Sequence, residues 1–349
     1  MKIIKAEQSK LANISLENVA FGNSFTDHML IVEYKNGAWG EPVIKPYENI
    51  SISPAAQVLH YGQAIFEGMK AYREANQIYL FRVEDNFRRM NDSAIRLMMP
   101  ELPKEIFVEG LQELVSLDRD WIPTNEGGAL YLRPFMFASE PMLRANPSAE
   151  FMFIILCSPV QSYYSEPLKV KISDHYSRAA SGGVGYAKAA GNYAASFYPA
   201  HLAQQEGFDQ VLWTDAATHT FIEESGTMNI MIAYENKIVT APATETILNG
   251  VTRRSILQVA QDMGVEVEER PIPVTEVVEG LKSGAIKEMF GCGTAVVVMN
   301  YKLVGHKDQN FELPMLPAEQ SIALRIKERL TQIQKGKVTD PYGWVTVLK

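Results

Sequence analysis

A mixed α+β protein built from two domains is the architecture this sequence predicts, on three observations. The chain has 349 residues, more than one hydrophobic core usually supports. Strand-like and helix-like stretches are interspersed along it without the regular alternation of a doubly wound parallel sheet. Near the middle, periodicity lapses between Ser158 and Glu166, in a stretch that holds Pro159 and stops at Pro167. The boundaries that follow are a smaller N-terminal α/β domain at 1–160, a linker at 161–173 and a larger C-terminal domain at 174–349.

The elements follow in order. Met29–Tyr34 and Ile78–Arg82 are rich in branched and aromatic side chains and are expected as strands. A helix is expected from Glu84 to Met98, ended by Pro100. A second runs from Glu105 to Leu117, with Ile106, Phe107, Leu111, Leu114 and Val115 on one stripe. In the strand Ala129–Phe137, Tyr131 and Arg133 fall on one face, because side chains alternate with period two. Another apolar strand ends at Cys157. The second half opens on a strand at Leu168–Ser173 and a glycine-rich stretch, Gly182-Gly-Val-Gly185. A helix is expected from Asn192 to a glycine stop at Gly207. Strands at Gln210–Thr214, Asn229–Tyr234 and Ile238–Thr240, a helix from Thr252 to Gly264, a strand at Ile286–Phe290 and a helix over Ala318–Gln334 complete the pattern.

Composition narrows the function. Hydrophobic content of 46% with 21% charged residues fits a water-soluble globular chain. The longest apolar run, Phe151–Cys157, falls far short of the roughly 18 residues that cross a bilayer. Residues Met1–Lys10 hold no apolar core of a secretory signal, so the expected compartment is the cytoplasm. A net charge of −8 without a basic run argues against nucleic-acid binding. Cys157 and Cys292 each lie in apolar sequence, far apart, and are expected as buried free thiols. No Cys/His cluster has metal spacing, so no metal site is expected.

Four motifs carry chemistry. In Arg178-Ala-Ala-Ser-Gly-Gly-Val-Gly-Tyr-Ala-Lys188-Ala-Ala-Gly-Asn-Tyr193 a single lysine sits among small residues. Small neighbours let a flat ligand approach the backbone, and such a lysine can form an imine with an aldehyde cofactor. The same stretch also reads as a lysine in a flexible glycine loop. In Glu223-Glu-Ser-Gly-Thr-Met-Asn229 a carboxylate precedes a turn. It would suit a protonated heterocyclic nitrogen, or it is a solvated loop acid, and residue type does not choose between Glu223 and Glu224. Asn249-Gly-Val-Thr-Arg-Arg254 opens a helix, where N–H groups and the Thr252 hydroxyl suit a phosphate. A plain N-cap is the alternative. Gly291-Cys-Gly-Thr-Ala295 offers backbone donors after a strand, or simply a tight glycine turn.

The resemblance rests on these motifs with others in fixed order: Phe21-Gly-Asn-Ser-Phe-Thr-Asp-His-Met-Leu30, Leu59-His-Tyr-Gly62, Phe66-Glu-Gly-Met-Lys70, Asn86-Phe-Arg-Arg-Met90 and Tyr131-Leu-Arg-Pro134. Over nearly its whole length the chain resembles the branched-chain-amino-acid aminotransferases, pyridoxal 5'-phosphate (PLP) enzymes of fold type IV. The Phe-Thr-Asp-His-Met block is more similar to the eukaryotic-type branch than to the shorter bacterial type. The resemblance implies a two-domain fold with the active site between the domains and the cofactor held by the C-terminal one. It implies ping-pong transfer of the amino group of L-leucine, L-isoleucine or L-valine to 2-oxoglutarate. Lys188 would be the Schiff-base lysine and proton carrier, Tyr193 the partner of the ring hydroxyl oxygen, and Glu224 the acid on the ring nitrogen. Arg89 would hold the phosphate with Val251, Thr252 and Thr294, while Arg178 and Thr227 match further cofactor-side positions. Tyr131, Thr294 and Ala295 would bind the substrate α-carboxylate, and Arg133 the γ-carboxylate of glutamate. Phe21, Phe66 and Tyr163 match apolar pocket positions. Tyr61 matches one supplied by a partner subunit, so a homodimer or larger homo-oligomer is implied. Where some relatives carry a redox Cys-x-x-Cys, this chain has Val296 and Met299, so no such thiol switch is expected. Position 190, where relatives have the first glycine of a pair, is alanine, followed by Gly191. D-Amino-acid aminotransferases and aminodeoxychorismate lyase share the fold and are the rival enzymes; a non-catalytic PLP-binding protein would not need Tyr131, Arg133 and the Thr294-Ala295 pair.

Overall fold

The computed structural model describes all residues except Asn18, 162–165 and Lys349. The chain divides into two compact units, one of Met1–Tyr163, Ala187–Gly191 and Ile333–Lys349, the other of Tyr164–Tyr186 and Asn192–Gln332. This differs from the expected 1–160, 161–173 and 174–349 at three places, each for a physical reason. The stretch 161–173 contains the strand Leu168–Ile172, which pairs with Gln210–Thr214 on one side and Val297–His306 on the other. Residues 187–191 group with the first unit, where Ala189 bridges Ile65. The C-terminal strand Val345–Leu348 pairs with Gln77–Phe81 of the first unit. Pairings between residues this distant leave no local periodicity to read.

The first unit is a ten-stranded, mostly antiparallel sheet with helices packed on it. Its central strands are Phe151–Val160 and Ala129–Ala138, in register over ten residue pairs. Phe151–Val160 is buried along almost its whole length, which is why its sequence is continuously apolar rather than alternating. The expected helix at Glu84–Met98 is present as Val83–Arg96, and Glu84 and Asp85 lie in its first turn, where the helix dipole favours acids. The expected helix at Glu105–Leu117 divides into a π turn, Glu105–Glu109, and an α-helix, Gly110–Leu117. A β-carbon on Gly110 would come within 2.5 Å of Leu30, so this helix approaches the sheet where only glycine fits. The Phe-Thr-Asp-His block ties down the N-terminal segment. Asp27 accepts from the Ser9 hydroxyl (2.6 Å), the Lys10 N–H (2.7 Å) and the Trp121 indole (2.8 Å). His28 bridges the Ala6 N–H (2.9 Å) and Asp118 (2.6 Å).

The second unit is a mixed sheet that closes on itself. Met228–Ala233 pairs with both Glu288–Gly293 and Phe221–Ser225, joining six strands into a ring through Val297–His306, Leu168–Ile172 and Gln210–Thr214. Its interior is apolar, with Val170, Leu212, Ile232 and Met289 fully buried. The expected single helix Asn192–Gly207 is two, Ala190–Ala194 and Phe197–Gln205. Pro199 lacks the N–H that a continuous helix would need there, and the Ser196 hydroxyl donates to the Tyr193 carbonyl at the break (2.6 Å). Both cysteines are buried and free, and burial pushes the Cys292 thiol up to about 12.

The loop that leads into Phe221–Ser225 is organised by Asp215. Burial alone would raise its carboxyl, but the N–H groups of Phe221, Thr218 and Thr220 and the Thr218 hydroxyl hold it down at about 2. The folded value lies below the ordinary one, so this stabilisation is present at neutral pH and is lost as pH falls from 3.8 toward about 2. Asp215→Ala is expected to cost about 1 kcal/mol at neutral pH. Urea unfolding at a series of pH values should show that penalty shrinking toward the acid end.

Candidate active site

The helix Val83–Arg96 turns Asn86, Arg89, Met90 and Ser93 inward, at the i, i+3, i+4, i+7 spacing of a core stripe, yet three of the four are polar. Buried polar groups need partners. Glu67, fully buried, takes the Arg89 guanidinium side-on, with Nε–Oε1 at 2.7 Å and Nη2–Oε2 at 2.9 Å. The Ser93 hydroxyl donates to the Arg89 carbonyl and accepts the Lys188 N–H, both at 2.9 Å. The Lys188 carbonyl accepts the Phe66 N–H at 3.1 Å. Lys188 is thus fixed by its backbone, and its Nζ lies 4.5 Å from the centre of the Phe66 ring.

The expected substrate-side residues of the first unit meet beside it. Tyr131 and Arg133 share a strand face as predicted, and Arg133 Nη2 donates to the Tyr131 hydroxyl (3.1 Å). The Arg133 guanidinium lies 4.7 Å from the Phe66 ring and 5.3 Å from that of Tyr131. Its Nε is buried without a hydrogen-bond partner among the described residues. Phe21 meets Tyr131 edge-on at 4.8 Å. A β-carbon on Gly68 would come within 2.2 Å of the Tyr131 hydroxyl, which explains the glycine after Glu67. Tyr61 is 48% exposed at the end of the short helix Val58–Tyr61. Tyr163 lies outside the described residues.

In the second unit, Ser225-Gly226-Thr227-Met228 is a two-residue hairpin with Gly226 at φ 54°, the left-handed conformation such turns need. The turn places Glu224 directly opposite Asn229. Alternation along the strand then separates the two adjacent acids. Glu223 accepts from Thr246 (2.6 Å), and burial raises its carboxyl. Glu224, 4% exposed, forms an ion pair with Arg178 and accepts from Asn229 Nδ2 (2.8 Å) and the Leu248 N–H (3.2 Å). Arg178 is anchored in turn by the carbonyls of Gly185 (2.8 Å) and Thr246 (2.7 Å). Arg178, Tyr193, Glu224 and Thr227 line one cleft, together with Asn192, Ser196, Gly226 and Leu248.

The helix Val251–Asp262 begins at extended Gly250, and a β-carbon there would come within 2.1 Å of Asn229 Oδ1. Asn229 therefore supports both Glu224 and the start of this helix, whose first turn holds Val251 and Thr252. Thr294 and Ala295 form the turn after Glu288–Gly293, half-buried, on a strand in register with Asn229 through Cys292. Sequence reasoning missed Glu67, Ser93, Asn192 and Asn229. Three of them lie inside motifs that were recognised, and Ser93 is a hydroxyl on a stripe that should be apolar.

The first unit thus holds a lysine anchored by its backbone and an arginine clamped at a helix face, and the second a buried glutamate in a cleft beside a tyrosine, residue types that an imine-forming cofactor enzyme uses. The amino-transferase class IV family pattern matches residues 64–304. A probable branched-chain-amino-acid aminotransferase of Staphylococcus epidermidis is 43% identical over 94% of this chain and 92% of its own. Branched-chain-amino-acid aminotransferase 2 of Bacillus subtilis is 42% identical over 94% and 92%. The crystal structure of the branched-chain aminotransferase of Thermoproteus uzoniensis with norvaline shares the fold, with TM-score 0.75 and 24% identity over 92% of this chain and 99% of that one. The chain belongs to the class IV aminotransferases and, within them, to the branched-chain-amino-acid aminotransferases.

The cofactor of this class is PLP. The residues present fit it. A pyridine nitrogen needs a buried acid, and Glu224 is one that faces a cleft. A phosphate needs N–H groups, and the start of Val251–Asp262, at a glycine where no β-carbon fits, offers them.

Proposed function

We propose that this enzyme transfers the amino group of L-leucine, L-isoleucine or L-valine reversibly to 2-oxoglutarate, giving branched 2-oxo acids and L-glutamate. The observation that carries this reading is the setting of Arg133. One pocket must accept both a hydrocarbon side chain and the γ-carboxylate of glutamate. An arginine facing hydrocarbon is costly unless it is otherwise engaged. Arg133 lies against the Phe66 and Tyr131 rings, a cation–π setting that satisfies the charge when the substrate is apolar. Its buried Nε remains a donor for a carboxylate.

Lys188 would anchor the cofactor, and its amine would move the proton at the substrate Cα. Bound PLP supplies an electron sink for the charge left on Cα. Glu224, held by Arg178, Asn229 and the Leu248 N–H, keeps a proton at the ring nitrogen. Tyr193 and Thr227 orient the ring from the same cleft; Arg89, Val251, Thr252 and Thr294 hold the phosphate. Tyr131 and the Thr294-Ala295 turn bind the α-carboxylate, and Phe21 and Phe66 shape the apolar side of the pocket. Tyr163 is proposed for that wall on its sequence position alone.

Arg133→Ala is expected to slow the glutamate half-reaction by about tenfold or more, the worth of one charged hydrogen bond, while the leucine half-reaction changes much less. Single-turnover rates for each donor check this, and equal losses would remove the assignment. The enzyme is further proposed to act in the cytoplasm as a homo-oligomer. No described helix is long and apolar enough to cross a membrane. Leu59 and Tyr61 are 57% and 48% exposed on one short helix, large side chains that a second copy could bury. Sedimentation should find a dimer or larger; a fully active monomer would contradict it.

A further inference from the structure

The Ser93 side chain joins the Lys188 backbone to the helix carrying Arg89. It is 1% exposed on the inward stripe of Val83–Arg96. Alanine would pack there and favour the helix more, because a mid-helix serine competes for backbone hydrogen bonds. The hydroxyl proton goes to the Arg89 carbonyl, four residues back (2.9 Å), which turns the oxygen's lone pairs outward from the helix. One of them receives the Lys188 N–H at 2.9 Å. On the other side of the same residue, Phe66 N–H donates to the Lys188 carbonyl, and Ala189 bridges Ile65. The Lys188 Cα is therefore fixed from both peptide groups before its side chain begins. Ser93 and Arg89 are one helical turn apart, so a single rigid element sets where both begin.

We propose that Ser93 is a positioning residue: its hydroxyl docks the Lys188 backbone onto the helix that carries Arg89, and so holds the lysine amine in line for proton transfer. This rests on the reading that Lys188 carries the cofactor. The effect belongs to the chemical step rather than to substrate binding, because Ser93 reaches the lysine only through its backbone.

The test uses the holoenzyme and three variants. Ser93→Ala removes the hydroxyl, Ser93→Cys fills the space with a poor acceptor, and Ser93→Thr keeps the hydroxyl. Ser93→Ala and Ser93→Cys are expected to lower kcat about tenfold with the KM for L-leucine within about twofold. Both should also weaken the visible circular dichroism of the bound cofactor and speed amide exchange at Lys188. Ser93→Thr should restore all three. Unchanged kcat and dichroism in Ser93→Ala would overturn the proposal, as would Ser93→Cys behaving like the parent enzyme. If Ser93→Ala does not fold, the cysteine and threonine variants decide by the same readouts. Borohydride reduction followed by peptide mapping tests the underlying reading separately. Cofactor fixed to a lysine other than Lys188 would remove that reading, and this proposal with it.

Discussion

Lys188→Ala is expected to abolish transamination while leaving the protein folded. The lysine is assigned two duties, covalent anchor of the cofactor and carrier of the Cα proton. A positioned acid–base group alone contributes about 10²–10⁴-fold, and the covalent route is lost as well, so turnover should fall by more than about 10⁴-fold. Folding should survive, because the contacts that tie this segment down use the Lys188 N–H and carbonyl, which alanine also has. Turnover, thermal unfolding and the absorbance of the cofactor imine, measured on the same sample, check this. Normal transamination by this variant without an added amine would defeat the assignment.

Glu224→Gln is expected to be nearly as damaging, through two separate effects. Glu224 pairs with the Arg178 guanidinium and accepts from Asn229 Nδ2 and the Leu248 N–H. A glutamine has one acceptor oxygen and would turn an NH₂ toward one of those donors. The side chains of the pair are only 8% and 6% exposed, so breaking it should cost about 3–5 kcal/mol. The second effect is on chemistry, since a neutral amide no longer holds a proton on the ring nitrogen. Turnover per bound cofactor should fall by about 10²-fold or more. Glu223→Gln is the matching control. Its carboxylate engages Thr246 and does not line the cleft, so cofactor binding and turnover should change little. Counting cofactor spectroscopically before each kinetic run separates the two effects. Equal behaviour of the two glutamines would leave no basis for choosing Glu224.

The reach of the sequence differed from element to element. Chemistry that depends on strand alternation was legible in full, as with Tyr131 and Arg133 on one face. Helix ends were legible where local chemistry sets them, as at Pro100 and at Gly264. The choice between Glu223 and Glu224 was not legible from residue type. It depends on a two-residue hairpin that fixes which strand face meets Asn229, and the resemblance alone selected Glu224. Glu67 and Ser93 were passed over because their partners, Arg89 and Lys188, lie 22 and 95 residues away. The grouping of residues 187–191 and of the C-terminal strand with the first unit was passed over for the same reason. One ladder between Val345–Leu348 and Gln77–Phe81, and one bridge at Ala189, assign segments to the first unit that local periodicity assigned to the second.

The central claim is that one site, carried by Lys188, passes an amino group from a branched L-amino acid to 2-oxoglutarate through the cofactor. Its most direct test is the absorption spectrum of the purified holoenzyme, titrated first with L-leucine and then with 2-oxoglutarate. L-Leucine should convert the imine band to that of pyridoxamine phosphate with stoichiometric release of the branched 2-oxo acid, and 2-oxoglutarate should restore the original band. D-Leucine should leave it unchanged. A spectrum that does not respond to L-leucine, or one that responds to the D-isomer instead, would contradict transamination of branched L-amino acids at this site.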